Sequence, residues 1–202
     1  YIYLNGQMCY IGDKMIHSHT IPKSSIEMLL PYIKEKKIAC SFIEAEHHYL
    51  GLENEHTQRF NKMLGGEKIL GDVEDTQRAL QNDVYQLGAF MPMEQDKEFL
   101  EHLPHCRCTR WHHMFADVIP VDGGKNVGMD KILEYFNIPL EQSIAFGDGG
   151  NDIEMISHAN IGVAMGNAME DVKQAADFVT KHVDENGVSY ALDKLGILPF
   201  NY

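Results

Sequence analysis

The run Ile144 to Ile156, I-A-F-G-D-G-G-N-D-I-E-M-I, sets two aspartates, a carboxamide and three glycines within a few positions of one another. Ile144-Ala145-Phe146 is too short an apolar run for a helix and suits a buried strand. Asp148 then falls where that strand would end. Gly149-Gly150 permits a tight turn and close approach of a ligand to the backbone. Asn151 and Asp152 open a run in which Ile153, Met155, Ile156 and Ala159 share a helical face. In open α/β sheets ligands collect beyond the carboxyl ends of strands, and helix N-termini there favour anions. A carboxylate at such a place suits a hard cation that holds a phosphate. The same residues also have a plainer reading, as turn chemistry with Asp152 offsetting a helix dipole.

The flanking elements must position these groups. Phe115 to Pro120 reads as a strand returning to the core, followed by the turn Asp122-Gly123-Gly124 and by Lys125. A helix with Met129, Ile132, Leu133 and Phe136 on one face comes next. A lysine at a positive helix terminus is electrostatically misplaced unless it faces phosphate and carboxylates. Downstream, Asn160 to Met165 reads as a strand, Gly166-Asn167 as a turn at its carboxyl end, and Met169 to Ala176 as a helix. Phe178-Val179-Thr180 is an edge strand and Val188 to Leu195 a closing helix.

Over about Phe115 to Leu198 the chain resembles the haloacid dehalogenase (HAD) superfamily, specifically its Cof-type phosphatases with a C2B-type α/β cap. The residues that carry the resemblance are Lys125 before a helix, G-D-G-G-N-D, I-G-V-A-M-G-N-A and A-A-D-F-V-T. It implies that Lys125 is catalytic and phosphate-binding, offsetting charge on nucleophile and phosphoryl group. It makes Asp148 the direct Mg²⁺ ligand, Asp152 a further metal-site carboxylate acting around it or through water, and Asn151 a phosphate contact. One departure is Asn126-Val127, which follows Lys125 where family members often carry glycine or a small residue.

The resemblance also bears on the start of the chain. Tyr1-Ile2-Tyr3-Leu4 reads as a strand and Asn5-Gly6 as a turn, which in this family is where the core hands the chain to the cap. The family's D-x-D-G-T nucleophile motif would precede it, yet no D-x-D occurs in the 202 residues. The expectation is therefore an N-terminally truncated chain lacking about 80 residues, two to three βα units. The expected fold is α/β, an incomplete HAD-like Rossmannoid core with its first strands missing, carrying an inserted α/β cap domain. Residues 1–9 and 113–202 would form the core and 10–112 the cap.

Within the expected cap, Ser24-Ser25-Ile26-Glu27 fits a capping box, with Ile26, Leu29, Leu30 and Ile33 as an apolar stripe that Pro31 interrupts. Ile38 to Ile43 and Val84 to Met91 read as strands, Arg59 to Leu64, Val73 to Leu80 and Glu94 to Leu103 as helices. Arg107 to His112 is the last cap strand. Arg107, Arg110, Trp111 and His113 form a basic-aromatic cluster that, with Asn5, could contact an anionic or sugar-like substrate. A solvated strand edge with a half-buried tryptophan is the weightier alternative for the cluster.

Composition limits the function classes. Apolar content of 44% and charged content of 23% are ordinary for a globular chain. A formal net charge of −13 argues against nucleic acid as a partner. No apolar run is long enough for a membrane span, and no signal peptide opens the chain. Cys9, Cys40, Cys106 and Cys108 lack zinc spacing and suit idle thiols in a reducing cytoplasm. The histidines form no H-E-x-x-H pattern. What the resemblance implies is a Mg²⁺-dependent phosphohydrolase that works through an aspartyl-phosphate on a small phosphorylated metabolite, sugar-phosphate-like, with its nucleophile absent from this chain. The alternatives are a catalytically inactive HAD-fold fragment or binding module and, with less support for want of G-x-G-x-x-G, a nucleotide-binding Rossmann module.

Overall fold

The computed structural model describes residues 1–66 and 68–198. Their strands form three sheets. The first is an antiparallel meander of β1 (Ile2–Tyr3), β2 (Met8–Ile11) and β3 (Lys14–Ser18). The second has five antiparallel strands in the order β5 (His48–Leu50), β4 (Ala39–Ile43), β6 (Gln86–Phe90), β8 (Ala116–Pro120), β7 (Cys106–Thr109). The third is parallel, with β10 (Ile161–Ala164) between β9 (Ile144–Gly147) and β11 (Phe178–Val179).

This arrangement overturns the expectation of a core with its first strands missing. Every strand from β1 to β11 is paired within one of the three sheets. Ile2–Tyr3 does not wait for parallel neighbours but pairs antiparallel with Met8 and Cys9. The turn between them explains why: Leu4, Asn5 and Gly6 all take positive φ, at 51°, 53° and 90°, and fold the chain back on itself. The strand after Phe115 also differs from its reading as a core strand, since β8 lies inside the antiparallel sheet between β6 and β7. All five of its residues are buried. A strand covered on both faces loses the alternation that marks antiparallel sheets and reads like a parallel one.

Helices α1 (Lys23–Lys36), α2 (Glu55–Met63) and α3 (Asp96–Glu101) cover the five-stranded sheet. On one face Ile26, Leu29, Leu30 and Ile33 of α1 pack with Phe42, Leu87, Phe99 and Val118, as the stripe predicts. The opposite face holds Phe60 of α2 with Leu50, Phe90 and Phe115. The expected capping box of α1 is not formed. Pro22 precedes the helix without a side-chain cap, and Ser25 Oγ donates instead to the Pro104 carbonyl. The helix runs through Pro31 without ending there. A capping box does form at α2, between Asn54 and Thr57. Where Val73 to Leu80 reads as a helix, only a 3-10 turn over Thr76–Leu80 is present.

In the last third, α4 (Lys125–Phe136), α5 (Ile153–His158), α6 (Glu170–Ala175) and α7 (Gly187–Lys194) accompany the parallel sheet. Ile156, Ala164, Ala168 and Val172 form its small buried cluster. The expected apolar face of α4 is less covered than its periodicity suggests, and Phe136 is exposed. What anchors α4 is a backbone approach. A Cβ on Gly6 would lie 1.9 Å from the Gly124 carbonyl oxygen, and one on Gly128 would lie 2.9 Å from Gly6 Cα and 2.7 Å from Ile2 Cγ2. The turn after β1 thus sits directly on the first turn of α4. No helix among the described residues is long and apolar enough to cross a membrane.

Gly128→Ala tests this contact. Alanine in a helix interior ordinarily stabilises by about 1 kcal/mol over glycine. Here overpacking against Gly6 and Ile2 reverses the sign, and a net loss of about 1–2 kcal/mol is expected in urea unfolding. A stabilised variant would show that the two segments are free to separate.

Candidate functional site

The site is built around the carboxylate of Asp152, at the end of a 3-10 turn, Gly150–Asp152, that leads into α5. The residue is only 7% exposed, so its charge needs partners. Oδ1 accepts from Lys125 Nζ at 2.6 Å. Oδ2 accepts from the backbone N–H groups of Asp148 and Gly149, both at 3.0 Å. One buried carboxylate therefore ties the start of α4 to the loop after β9. A Cβ on Gly147 would fall 2.4 Å from Asp152 Cβ, so glycine at the strand end is what lets this side chain tuck in. The bond to Asp152 offsets the unfavourable position of Lys125 at a helix N-terminus.

Asp148 is exposed, at the carboxyl end of β9. Its Oδ2 accepts from Asn167 Nδ2 at 2.9 Å, and Asn167 Oδ1 in turn accepts from the Val183 N–H. Asn167 thus braces Asp148 from the carboxyl end of the neighbouring strand β10. Mg²⁺ is held by one or two carboxylates and keeps several waters and phosphate oxygens in its shell. Asp148 fits that requirement as an open carboxylate. Asp152 has both oxygens engaged, which suits it to fixing the loop around a cation. Among the described residues no three His, Cys, Asp or Glu side chains cluster closely enough to hold a metal by themselves.

Asn151 reaches away from the loop. Its Nδ2 donates to Asn5 Oδ1 at 3.0 Å. Asn5 Nδ2 donates to Gln86 Oε1 at 2.9 Å and to Asp117 Oδ2 at 3.1 Å. Gln86 Nε2 closes the group on Asp117 Oδ1 at 2.9 Å. Burial pushes the Asp117 carboxyl up to about 6, against the opposing effects of hydrogen bonds from Asn5, Trp111 and Gln86 and of the Lys125 charge.

Lys125, Asp148, Asn151, Asp152 and Asn5 are therefore brought together. Of the basic-aromatic cluster, only Trp111 reaches them. Arg107 donates to the Gly123 carbonyl and to Glu154. Arg110 turns to Asp96 and the Met91 carbonyl. Trp111 lies beside Gly149 and packs its ring on Phe115, at the edge of the site. His113 packs against His112 with ring centroids 4.3 Å apart and the rings tilted by 30°. Sequence reasoning passed over Gln86 and Asp117. The available signal was an aspartate set among Phe115, Ala116, Val118 and Ile119, where an unpaired charge would be costly.

Two outcomes follow from this geometry. Lys125→Ala leaves Asp152 buried with one oxygen unpaired, so equilibrium unfolding should show a loss of about 1–3 kcal/mol, more than a solvated lysine would cost. An unchanged midpoint would mean that the pair contributes nothing. For Asp117 the folded carboxyl titrates above its unfolded value of about 4. Its contribution to stability is present below about 4 and lost as pH rises through about 6. Relative to Asp117→Asn, the wild-type protein should gain stability as pH falls across that window. Parallel pH profiles for the two proteins would contradict the shifted titration.

Comparison with known proteins agrees with the fold. A family model described as haloacid dehalogenase-like hydrolase matches residues 1–192. The putative phosphatase YkrA of Bacillus subtilis is 34% identical over 200 residues, covering 98% of this chain and 76% of that protein. The solved structure of the HAD subclass IIB sugar phosphatase BT4131 superposes with a TM-score of 0.90 at 38% identity, over 98% of this chain and 76% of the other. The phosphatase BT1666 of Bacteroides thetaiotaomicron gives 0.88 at 30% identity, over 96% and 72%. With a model spanning nearly its whole length and relatives of this similarity, the chain belongs to the haloacid dehalogenase-like hydrolase family.

Proposed function

We propose that this chain belongs to a Mg²⁺-dependent, Cof-type phosphohydrolase acting on a small phosphorylated metabolite of the sugar-phosphate kind. The observation that carries the reading is the Lys125–Asp152 pair set beside the open carboxylate of Asp148. When bound there, Mg²⁺ would supply positive charge to a phosphoryl group. Lys125 would add a second positive charge and orient the phosphoryl oxygens. Asn151 would donate its free amide hydrogen to one of them. Asp152 would hold Lys125 and the loop in register rather than bind ligand itself. The relatives named as phosphatases, one of them a sugar phosphatase, support the substrate class.

The five-stranded sheet with α1, α2 and α3 is proposed as the cap, the part that would read the metabolite beyond its phosphate. The four free thiols fit a cytoplasmic setting. The aspartyl-phosphate route implied by the family resemblance needs an aspartate from a D-x-D pair, and the 202 residues hold none. The groups assigned above are thus those of metal and phosphate binding, and for these 202 residues the reading is binding without efficient turnover.

Calorimetric titration tests this reading. Inorganic phosphate should bind the 202-residue chain only with Mg²⁺ present, and Asp148→Asn should weaken Mg²⁺ binding at least tenfold, by removing the charge a hard cation needs. Wild-type Mg²⁺ affinity in Asp148→Asn would sink the metal assignment. Brisk Mg²⁺-dependent hydrolysis of phosphomonoesters by the pure chain would show that a nucleophile lies elsewhere within it.

A further inference from the structure

We infer that Asp117 is a positioning residue for the phosphate side of the site, acting on Asn151 through Gln86 and Asn5. The inference rests on the phosphate-site reading above. It comes from the direction of the hydrogen bonds, not only from their presence. An ionised carboxylate can only accept. Gln86 must therefore present Nε2 to Asp117 Oδ1, which turns its Oε1 towards Asn5. Asn5 uses both hydrogens of Nδ2, one on Gln86 Oε1 and one on Asp117 Oδ2. Only Oδ1 is then left for Asn151, whose Nδ2 has to donate to it.

Asp117 is thus the terminal acceptor that sets the sense of three amides in series. Carboxamide orientation is decided by such a network and by little else. With the sense fixed, the second hydrogen on Asn151 Nδ2 has no protein partner among the described residues and is available to a phosphoryl oxygen. Asp117 itself is 6% exposed and has both oxygens occupied, so it acts on a ligand only through this chain. Gln86 and Asp117 lie on β6 and β8, and Asn151 lies on the loop after β9. The chain of amides therefore links the proposed cap sheet to the phosphate loop.

Asp117→Asn keeps the shape but replaces a pure acceptor with a group that also donates, so the sense of the chain is no longer imposed. Two measurements decide the matter. In ligand-free ¹⁵N-labelled protein, the side-chain amide signals of Asn5 and Asn151 should shift in Asp117→Asn, although Asn151 is two residues removed along the network. An Asn151 signal identical to wild type overturns the inference. In the presence of saturating Mg²⁺, Asp117→Asn should raise the Kd for inorganic phosphate about tenfold, and cause no further loss in an Asn151→Ala background. Equal losses in both backgrounds would mean that Asp117 does not work through Asn151, and also overturn it. Asn5→Gly tolerates the φ of 53° and cuts the chain at its middle while leaving Asp117 ionisable and still bonded to Gln86. It should reproduce the loss of affinity, and it decides the question alone if Asp117→Asn does not fold. Wild-type protein that binds no phosphate with Mg²⁺ would defeat the phosphate-site reading instead, while the amide spectra would still decide the link from Asp117 to Asn151.

Discussion

A single buried carboxylate holds the site together. Asp152 takes the Lys125 ammonium on one oxygen and two backbone N–H groups on the other. Charge-assisted bonds of this kind are roughly twice as strong as neutral ones, and inside a protein they are the condition for burying the charge at all. The consequence is geometric. The loop after β9 cannot move relative to the start of α4 without leaving one oxygen of the buried Asp152 unpaired. Asp148 is carried on that loop with its own side chain still open, so the fixed carboxylate positions the free one.

A second constraint meets the first from the other side. The turn after β1 presses its backbone onto Gly124 and Gly128, at a range no other residue type permits. That contact delivers Asn5 to Asn151, and through Asn5 the antiparallel sheet reaches the parallel one. The five-stranded sheet has its own apolar packing on both faces. It meets the site through the amide chain, the bonds of Arg107 to Gly123 and Glu154, and the close approach of Arg110 and Trp111 to Gly150 and Gly149.

How much of this was legible in the sequence depended on how local each signal was. Asp148, Asn151 and Asp152 announce themselves by spacing, because strand end, turn and helix start follow one another within a few residues. Lys125 was legible as a charge in the wrong place. The α1 stripe was legible because Ile26, Leu29, Leu30 and Ile33 face one core. Its capping box was not, since the helix starts earlier, at Lys23 after Pro22, and takes Ser24 and Ser25 into its first turn. The place of β8 was hidden by its burial on both faces, and the antiparallel pairing of β1 was hidden because a two-residue strand carries no pattern. Gln86 and Asp117 stayed invisible because their meaning lies in partners on other strands and loops.

The amide chain also says something about the order in which the molecule comes together. Asn5 bonds to Gln86, Asp117 and Asn151, at separations of 81, 112 and 146 positions along the chain. Contacts between residues so far apart must wait for large loops to close, and that entropy is recovered only once the surrounding elements are in place. The strands of the five-stranded sheet and the helices over them come from one continuous stretch, 23–120. The strand pairings of that sheet lie wholly within the stretch, whereas the site needs residues from before it, from within it and from beyond it. Assembly of the site is thus a late event in folding, and a chain whose sheets have already formed can still lack it.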